Sequence, residues 1–321
     1  MTRSLIVGVG GQDGAYLAQR LLASGYHVTG TSRQSAVPGN LDMLGIAGIV
    51  MLRTVDPGDR ASVAALIAET VPDEIYWLAA QTSVAASFDE PAAGLAAAAD
   101  LASALAAARA HAPAARFLFA ASGECFGETT QERPAREDTA FAPLSPYAVG
   151  KCAGALAIRQ AREAHGQFAC SAYLFTHESP LRPERFVVAK IAAAARRIAA
   201  GSTETLGLGD VSVVRDWGWA PEHVAAMHAM LTADEPRDLI VATGTSVRLA
   251  DLVEEAFAAI GRDWRDHVAI DAVPPRPGDA RSHHARPSLA AATIGWCAGV
   301  DARAMMRRLV LGAIGSEGRP T

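Results

Sequence analysis

In the run "FAASGECFG", Ser122 and Glu124 stand two residues apart, just past the apolar residues Phe117, Leu118 and Phe119. Residues i and i+2 of a strand project from the same face, so the spacing predicts a hydroxyl beside a carboxylate at a strand end. A second pair lies in "SPYAVGK", where Tyr147 and Lys151 at i and i+4 share one face of a helix. An ammonium near a phenol favours phenolate and lowers its pKa. A phenolate near neutrality can take a proton from a sugar hydroxyl while the carbon gives up a hydride. YxxxK alone arises by chance. It gains meaning when it follows a glycine-rich nucleotide loop and a strand-end Ser, and here all three occur in that order.

Those residues need a scaffold. Through residues 1–175, short β-branched or aromatic runs alternate with longer Ala/Leu-rich stretches. Strands are expected at 3–8, 26–31, 48–53, 73–78, 115–121 and 168–174, and helices at 13–24, 59–70, 92–111 and 145–165. This alternation implies βαβ units and a doubly wound parallel α/β sheet. The helices 92–111 and 145–165, faced with small residues, are candidates for a dimer interface or for packing on the sheet. After 175 prolines interrupt the rhythm, and a smaller mixed α/β domain is expected. The expected division is 1–175 plus roughly 208–240 for the nucleotide domain, and 176–207 with 241–321 for the substrate domain.

"IVGVGGQDGAYLAQRLLASG" sits between the first strand and first helix, with Gly8, Gly11 and Gly14 in GxxGxxG spacing. The first glycine permits a tight turn, the second lets the backbone approach a pyrophosphate, and the third lets the helix sit close. At the end of the second strand an NAD site would carry Asp or Glu. The chain instead reads Thr31, Ser32, Arg33, Gln34, Ser35, and an Arg there can pair with a 2′-phosphate, so NADP is the expected cofactor. Asp56 is placed to meet the adenine edge or to serve as a turn residue before Pro-Gly.

The 321 residues carry a net charge of −5 with half of them hydrophobic, which reads as a soluble globular chain with no call for nucleic acid. The four cysteines form no CxxC pair, so neither a metal site nor a disulfide framework is expected. Free thiols suit a cytoplasmic setting, and no targeting or membrane segment is read.

The motif set is the signature of the extended short-chain dehydrogenase/reductase superfamily. Within it the chain resembles the GDP-mannose 4,6-dehydratase family through "GGQDGAYLA", "YWLAAQTSVAASFDEP", "SGECFG", "SPYAVGK", "LFTHESPLR", "FVVAKI", "VRDWGWA", "VATG" and "RPGDA". The resemblance implies that Ser122 hydrogen-bonds the reacting oxygen, Tyr147 is the base and Lys151 assists it. Glu124 would remove the proton α to the new ketone and protonate the leaving hydroxyl, a task suited by a raised pKa. Gly8, Gly11, Gln12, Asp13, Gly14, Arg33, Ser35, Asp56, Ala80, Gln81, Tyr147, Lys151, His177 and Arg182 match the family's cofactor contacts. Lys190, Arg215 and Arg276 match positions near the substrate diphosphate. Ser83, Thr176, Glu178 and Asp279 complete the implied substrate contacts. The chain departs from the family in Ser122 for Thr, Thr176 for Asn, Asp279 for Glu, and Arg33-Gln34-Ser35-Ala36 for a paired Arg-Arg-Ser-Ser.

The resemblance implies a GDP-hexose dehydratase that uses NADP without net redox and assembles as a homodimer or homotetramer. Two alternatives stay open on sequence. One is a GDP-4-keto-6-deoxymannose reductase consuming NADPH with the same Ser, Tyr and Lys. The other is a non-catalytic NADP-binding regulator, for which those three residues would be unnecessary.

Overall fold

The computed structural model describes residues 1–80, 83–271, 278 and 280–312. In chain order the first half holds β1 (Arg3–Val7), α1 (Gln12–Ala23), β2 (His27–Ser32), α2 (Gly39–Met43), β3 (Met51–Thr54), α3 (Arg60–Thr70), β4 (Glu74–Trp77), α4 (Val84–Ser87), α5 (Ala93–His111), β5 (Arg116–Ser122), a 3-10 turn (Gly123–Phe126), α6 (Pro146–His165) and β6 (Ala169–Leu174). The second half holds β7 (His177–Glu178), α7 (Val187–Ala199), β8 (Leu206–Leu208), β9 (Val214–Asp216), β10 (Gly218–Trp219), α8 (Ala220–Thr232), β11 (Leu239–Val241), β12 (Ser246–Arg248), α9 (Leu249–Ala258), a 3-10 turn (Trp264–Asp266), β13 (Val268–Ile270), α10 (Ser288–Ile294) and α11 (Ala302–Leu311).

Seven strands form one parallel sheet in the order β11-β6-β5-β4-β1-β2-β3. The order reverses at β1, between β4 and β2, and open α/β sheets bind ligands beyond the strand ends at such a reversal. Strand side chains alternate between two covered faces. Leu5, Val7, Ile75, Trp77, Phe117 and Phe119 join one core with residues of α3, α5 and α6. Ile6, Tyr76, Leu118 and Ala120 join the other with residues of α1 and α8. Both faces are buried, which is why the strands read as nearly continuous apolar runs.

By length and composition, α5 is the one described helix that could cross a membrane. Here Leu101, Ala104, Leu105, Ala107 and Ala108 bury one of its faces in the first core. α5 lies along α6 at close range: a Cβ on Gly150 would overlap the Gly94 backbone, and one on Gly94 would overlap the Pro146 carbonyl.

The second half builds a separate apolar cluster from α7, α9 and α11, with Ile191, Leu252, Phe257 and Met305 fully buried. Its strands are short and pair at long range: β12 antiparallel with β9, β13 with β8, and β10 with β7. α8 packs on α1, and β11 extends the main sheet beside β6.

Candidate active site

β5 ends at Ser122, whose hydroxyl accepts the Glu124 amide at 3.2 Å and so starts the 3-10 turn. Glu124 therefore stands in that turn and not on the strand. The strand-face argument is corrected: the serine cap, not the pleat, sets the spacing of hydroxyl and carboxylate. On the next element Ser145 caps α6 by accepting the Ala148 amide at 3.1 Å, with Pro146 in the first turn. This cap puts Tyr147 at the helix start and Lys151 one turn deeper.

Lys151 is buried, donates to the Ala120 carbonyl at 2.6 Å, and lies 5.7 Å from the centre of the Tyr147 ring. Burial brings its ammonium down to about 8. Burial also pushes the Tyr147 phenol well up; Ser122 and Arg182 act against this, while the Glu124 carboxylate adds to it. The expectation that Lys151 draws the phenol down is therefore not met. Desolvation outweighs the charges around the phenol, and the ammonium is engaged with the strand backbone.

At the reversal of strand order the glycine loop has the predicted form. Gly8 has φ +95°, and a Cβ there would press on the Ala79 backbone. A Cβ on Gly14 would overlap the Gly8 carbonyl and Val9, so that glycine seats α1 against the loop. A Cβ on Gly11 would make only ordinary contact, with the Gly8 oxygen at 3.6 Å, and among the described residues no side-chain cap closes the start of α1. A helix start with no side-chain cap, approached by a glycine backbone that carries no bulk, is the arrangement that accepts a phosphate.

Gln12 and Asp13 turn toward the segment after β6. Gln12 Nε2 donates to the His177 carbonyl at 3.3 Å, and Ser179 donates to Gln12 Oε1 at 2.8 Å. His177 donates from Nε2 to Asp13 at 2.9 Å and from Nδ1 to the Phe175 carbonyl at 2.7 Å. With both ring nitrogens facing acceptors, the charged imidazole is the satisfied form. Burial opposes both charges, yet the pair prevails: His177 is raised and Asp13 is held below the carboxylate range. Burial raises Glu178 to about 6, against the pull of Arg182, whose Nε lies 3.4 Å from Glu178 Oε2. Arg182 also lies over the Phe186 ring at 3.7 Å.

Arg33 and Ser35 lie exposed beyond β2, and Arg33 forms no ion pair among the described residues. Asp56 accepts the Gly58 amide at 2.9 Å, which is the turn role. Ala80 follows β4 at the same edge. Ser83 caps α4 through the Ala86 amide at 3.2 Å. The Thr176 carbonyl accepts the Gly218 amide at 2.8 Å. Lys190 donates to the Gly207 carbonyl at 2.7 Å. Arg215 is buried, with Nη1 on the Val214 carbonyl at 2.9 Å and Nη2 on that of Ala280 at 2.6 Å. Gln81, Arg276 and Asp279 lie outside the described residues.

Two buried histidines escaped the sequence reading. His223 stacks on His177, with ring centres 4.5 Å apart, and is kept neutral by burial and by the His177 charge. His283 lies against Glu124, with Nδ1 3.6 Å from Oε1. Neither belongs to a local motif, since each reaches its partner from a distant part of the chain.

The family model for GDP-mannose 4,6 dehydratase matches residues 5–309. GDP-mannose 4,6 dehydratase 1 of Arabidopsis thaliana is 36% identical over 325 residues, covering 96% of this chain and 88% of that protein. The Homo sapiens GDP-mannose 4,6 dehydratase is 37% identical over 272 residues, covering 81% and 72%. Among solved structures, Thermus thermophilus UDP-glucose 4-epimerase with NAD superposes with a TM-score of 0.83 at 24% identity over 97% and 98% of the two chains. RMD of Pseudomonas aeruginosa with NADPH gives 0.80 at 22% identity, again over 97% and 98%. These two likenesses speak for the fold, whereas the family match and the curated relatives speak for kinship along nearly the whole chain. The chain belongs to the GDP-mannose 4,6-dehydratase family.

Proposed function

We propose that this protein is a hydro-lyase that converts GDP-mannose, or a related GDP-hexose, to the GDP-4-keto-6-deoxy-hexose. The observation that carries the reading is Glu124, set by the Ser122 cap and close enough to the Tyr147 phenol to hold it up. An alcohol dehydrogenation needs Ser, Tyr and Lys. An added carboxylate on the same reacting carbons suits removal of water. The relatives at this level of identity are themselves named dehydratases.

NADP fits the residues present: the bare backbone at Gly11, the start of α1 that no described side chain caps, and the exposed Arg33 with Ser35 for a 2′-phosphate. When bound it supplies the hydride acceptor for C4 and the donor for C6, so the reaction has no net redox. Ser122 holds the C4 oxygen and Tyr147 takes its proton. Ser122 and Arg182 counter the burial of the phenol, and Lys151 keeps a buried positive charge beside it below about pH 8. Glu124 then takes the C5 proton, made acidic by the neighbouring ketone, and passes it to the C6 hydroxyl, which leaves as water. Lys190 and Arg215, with Arg276, are assigned to the diphosphate side of the substrate.

Residues 1–175 with roughly 208–240 are assigned to the cofactor domain, and 176–207 with 241–321 to the substrate domain. A second copy of the chain is assigned to the α5–α6 face, in a homodimer or homotetramer; the exposed Leu95, Val149 and Leu156 there support it. The buried free thiols Cys125, Cys152 and Cys170 suit the reducing cytoplasm.

The test is incubation with GDP-mannose and NADP, followed by mass spectrometry of the sugar nucleotide. Loss of one water with no net NADPH is expected. An unchanged substrate mass contradicts the GDP-mannose reading, and consumption of NADPH with the 4-keto sugar would indicate a reductase.

A further inference from the structure

The strand-like segment 280–286 is strapped to the molecule from two sides. Thr129 donates its amide to the Ser282 carbonyl at 3.1 Å and its hydroxyl to that of His284 at 2.9 Å, and the Ala135 amide meets the His284 carbonyl at 2.8 Å. On the other side the His283 amide donates to the Val214 carbonyl of β9 at 3.0 Å, and Ser246 of β12 donates to the His283 carbonyl at 2.8 Å. The His283 backbone has little freedom between these anchors. Its ring is buried, 4% exposed, with Phe175 edge-on at 6.3 Å between ring centres.

The ring has two nitrogens and unequal surroundings. Nδ1 faces Glu124 Oε1 at 3.6 Å, and Nε2 has no hydrogen-bond partner among the described residues. A neutral imidazole carries one proton, and an unmatched buried N–H costs more than an unmatched lone pair on a weak acceptor. The proton therefore belongs on Nδ1, toward the carboxylate. Burial first, then Arg215 and His284, push the imidazole down to about 3, so the ring stays neutral and cannot relay a proton itself. The terminal torsion of a glutamate is soft, so a contact such as that of His283 bears on how the carboxyl group faces the reacting atoms. At 3.6 Å the contact is longer than a hydrogen bond, and catalytic hydrogen bonds are often long in apo structures and tighten when substrate binds.

We propose that His283 is a positioning residue for Glu124: its Nδ1–H faces Oε1 and orients the carboxyl group that carries the proton from C5 to the C6 hydroxyl. The role rests on the dehydratase reading above and concerns only its second half, the loss of water. No bond of the substrate is made or broken by His283. Among the described residues, Arg215 of β9 and His284 act on His283, and Tyr147 of α6 is acted on by Glu124 and by Cys125 of the 3-10 turn, which Lys151 in turn acts on.

The experiment compares His283→Leu and His283→Asn with the full wild-type enzyme loaded with NADP and mixed rapidly with GDP-mannose. Nicotinamide absorbance reports C4 oxidation, and quenched-flow mass spectrometry reports water loss. In the Leu variant oxidation stays within about twofold of wild type while water loss slows by about ten- to a hundredfold. The Asn variant, which keeps an amide N–H near the Nδ1 position, recovers most of that loss. Equal slowing of both steps, no slowing, or an Asn variant no better than Leu overturns the proposal. A second readout needs no substrate: carbon-13 NMR of Glu124, assigned with Glu124→Gln. Its titration midpoint rises by about one pH unit in the Leu variant because the carboxylate loses a donor. An unchanged midpoint overturns the positioning role. If the midpoint moves but wild type removes no water from GDP-mannose, the positioning of Glu124 stands and the dehydratase reading fails.

Discussion

Two strand ends of one sheet are built on opposite principles. Beyond β1 the proposed working parts are backbone: glycines at 8, 11 and 14 withhold side chains, and among the described residues no side-chain cap closes the start of α1. Beyond β5 the proposed working parts are side chains: Ser122, Glu124, Tyr147 and Lys151, with Tyr147 and Lys151 shifted by burial and the phenol further shifted by Ser122 and Glu124. A site of backbone amides needs room and tolerates little added bulk. A site of side chains needs particular atoms and is tuned by burial. The first is damaged by adding atoms, the second by removing them.

Substitutions on each side test that contrast, and the largest effect belongs to the β5 side. Removing one oxygen in Tyr147→Phe should lower the dehydration rate by about 10²–10⁴-fold while cofactor affinity, measured by fluorescence titration, changes little. A parallel loss of cofactor affinity would show that the phenol serves binding as much as chemistry. On the β1 side Gly14→Val adds atoms where even a Cβ overlaps Gly8 and Val9. Calorimetric titration should show NADP affinity weakened by at least about tenfold, with about 1–3 kcal/mol lost from stability in denaturant melts. Smaller still, Arg33→Ala should weaken NADP by about tenfold and leave NAD nearly untouched, since only the 2′-phosphate loses a partner. Equal weakening of both cofactors would move Arg33 off the 2′-phosphate.

The Asp13–His177 pair ties the start of α1 to the segment after β6 and gives a pH signature. Asp13 is depressed, so its contribution to stability is present above the unfolded value near ~4 and is lost as pH falls. His177 is raised, so its contribution is full below its unfolded value near ~6.5 and is lost as pH rises through the folded value. The melting temperature of wild type should exceed that of Asp13→Asn most between about pH 4 and 6.5, with the gap narrowing on either side. A gap that keeps widening toward alkaline pH would contradict the assigned charges.

The β1 side was almost wholly legible in sequence, because its determinants are consecutive: an apolar strand, three spaced glycines, then an amphipathic helix. The same holds for β1–β6 and their helices, whose observed ends fall within a few residues of those expected. The later strands were not legible. Two- and three-residue strands such as β7 and β10 exist only because His177 and Gly218 meet across a long stretch of chain. The quartet proposed for catalysis could be named from motifs, but not its electrostatics. Lys151 is claimed by the Ala120 carbonyl, and desolvation raises the phenol that the lysine was expected to lower. His283 had no local signal at all, since its meaning depends on the strap that carries it to Glu124.

The central claim is that Glu124 turns a dehydrogenase framework into a dehydratase. Its most direct test is Glu124→Gln mixed with GDP-mannose and NADP in a single turnover, with nicotinamide absorbance and sugar mass followed together. The account predicts that the cofactor is reduced and stays reduced while the sugar keeps its C6 hydroxyl. Water loss at the wild-type rate, or failure of oxidation and water loss to the same extent, would contradict it.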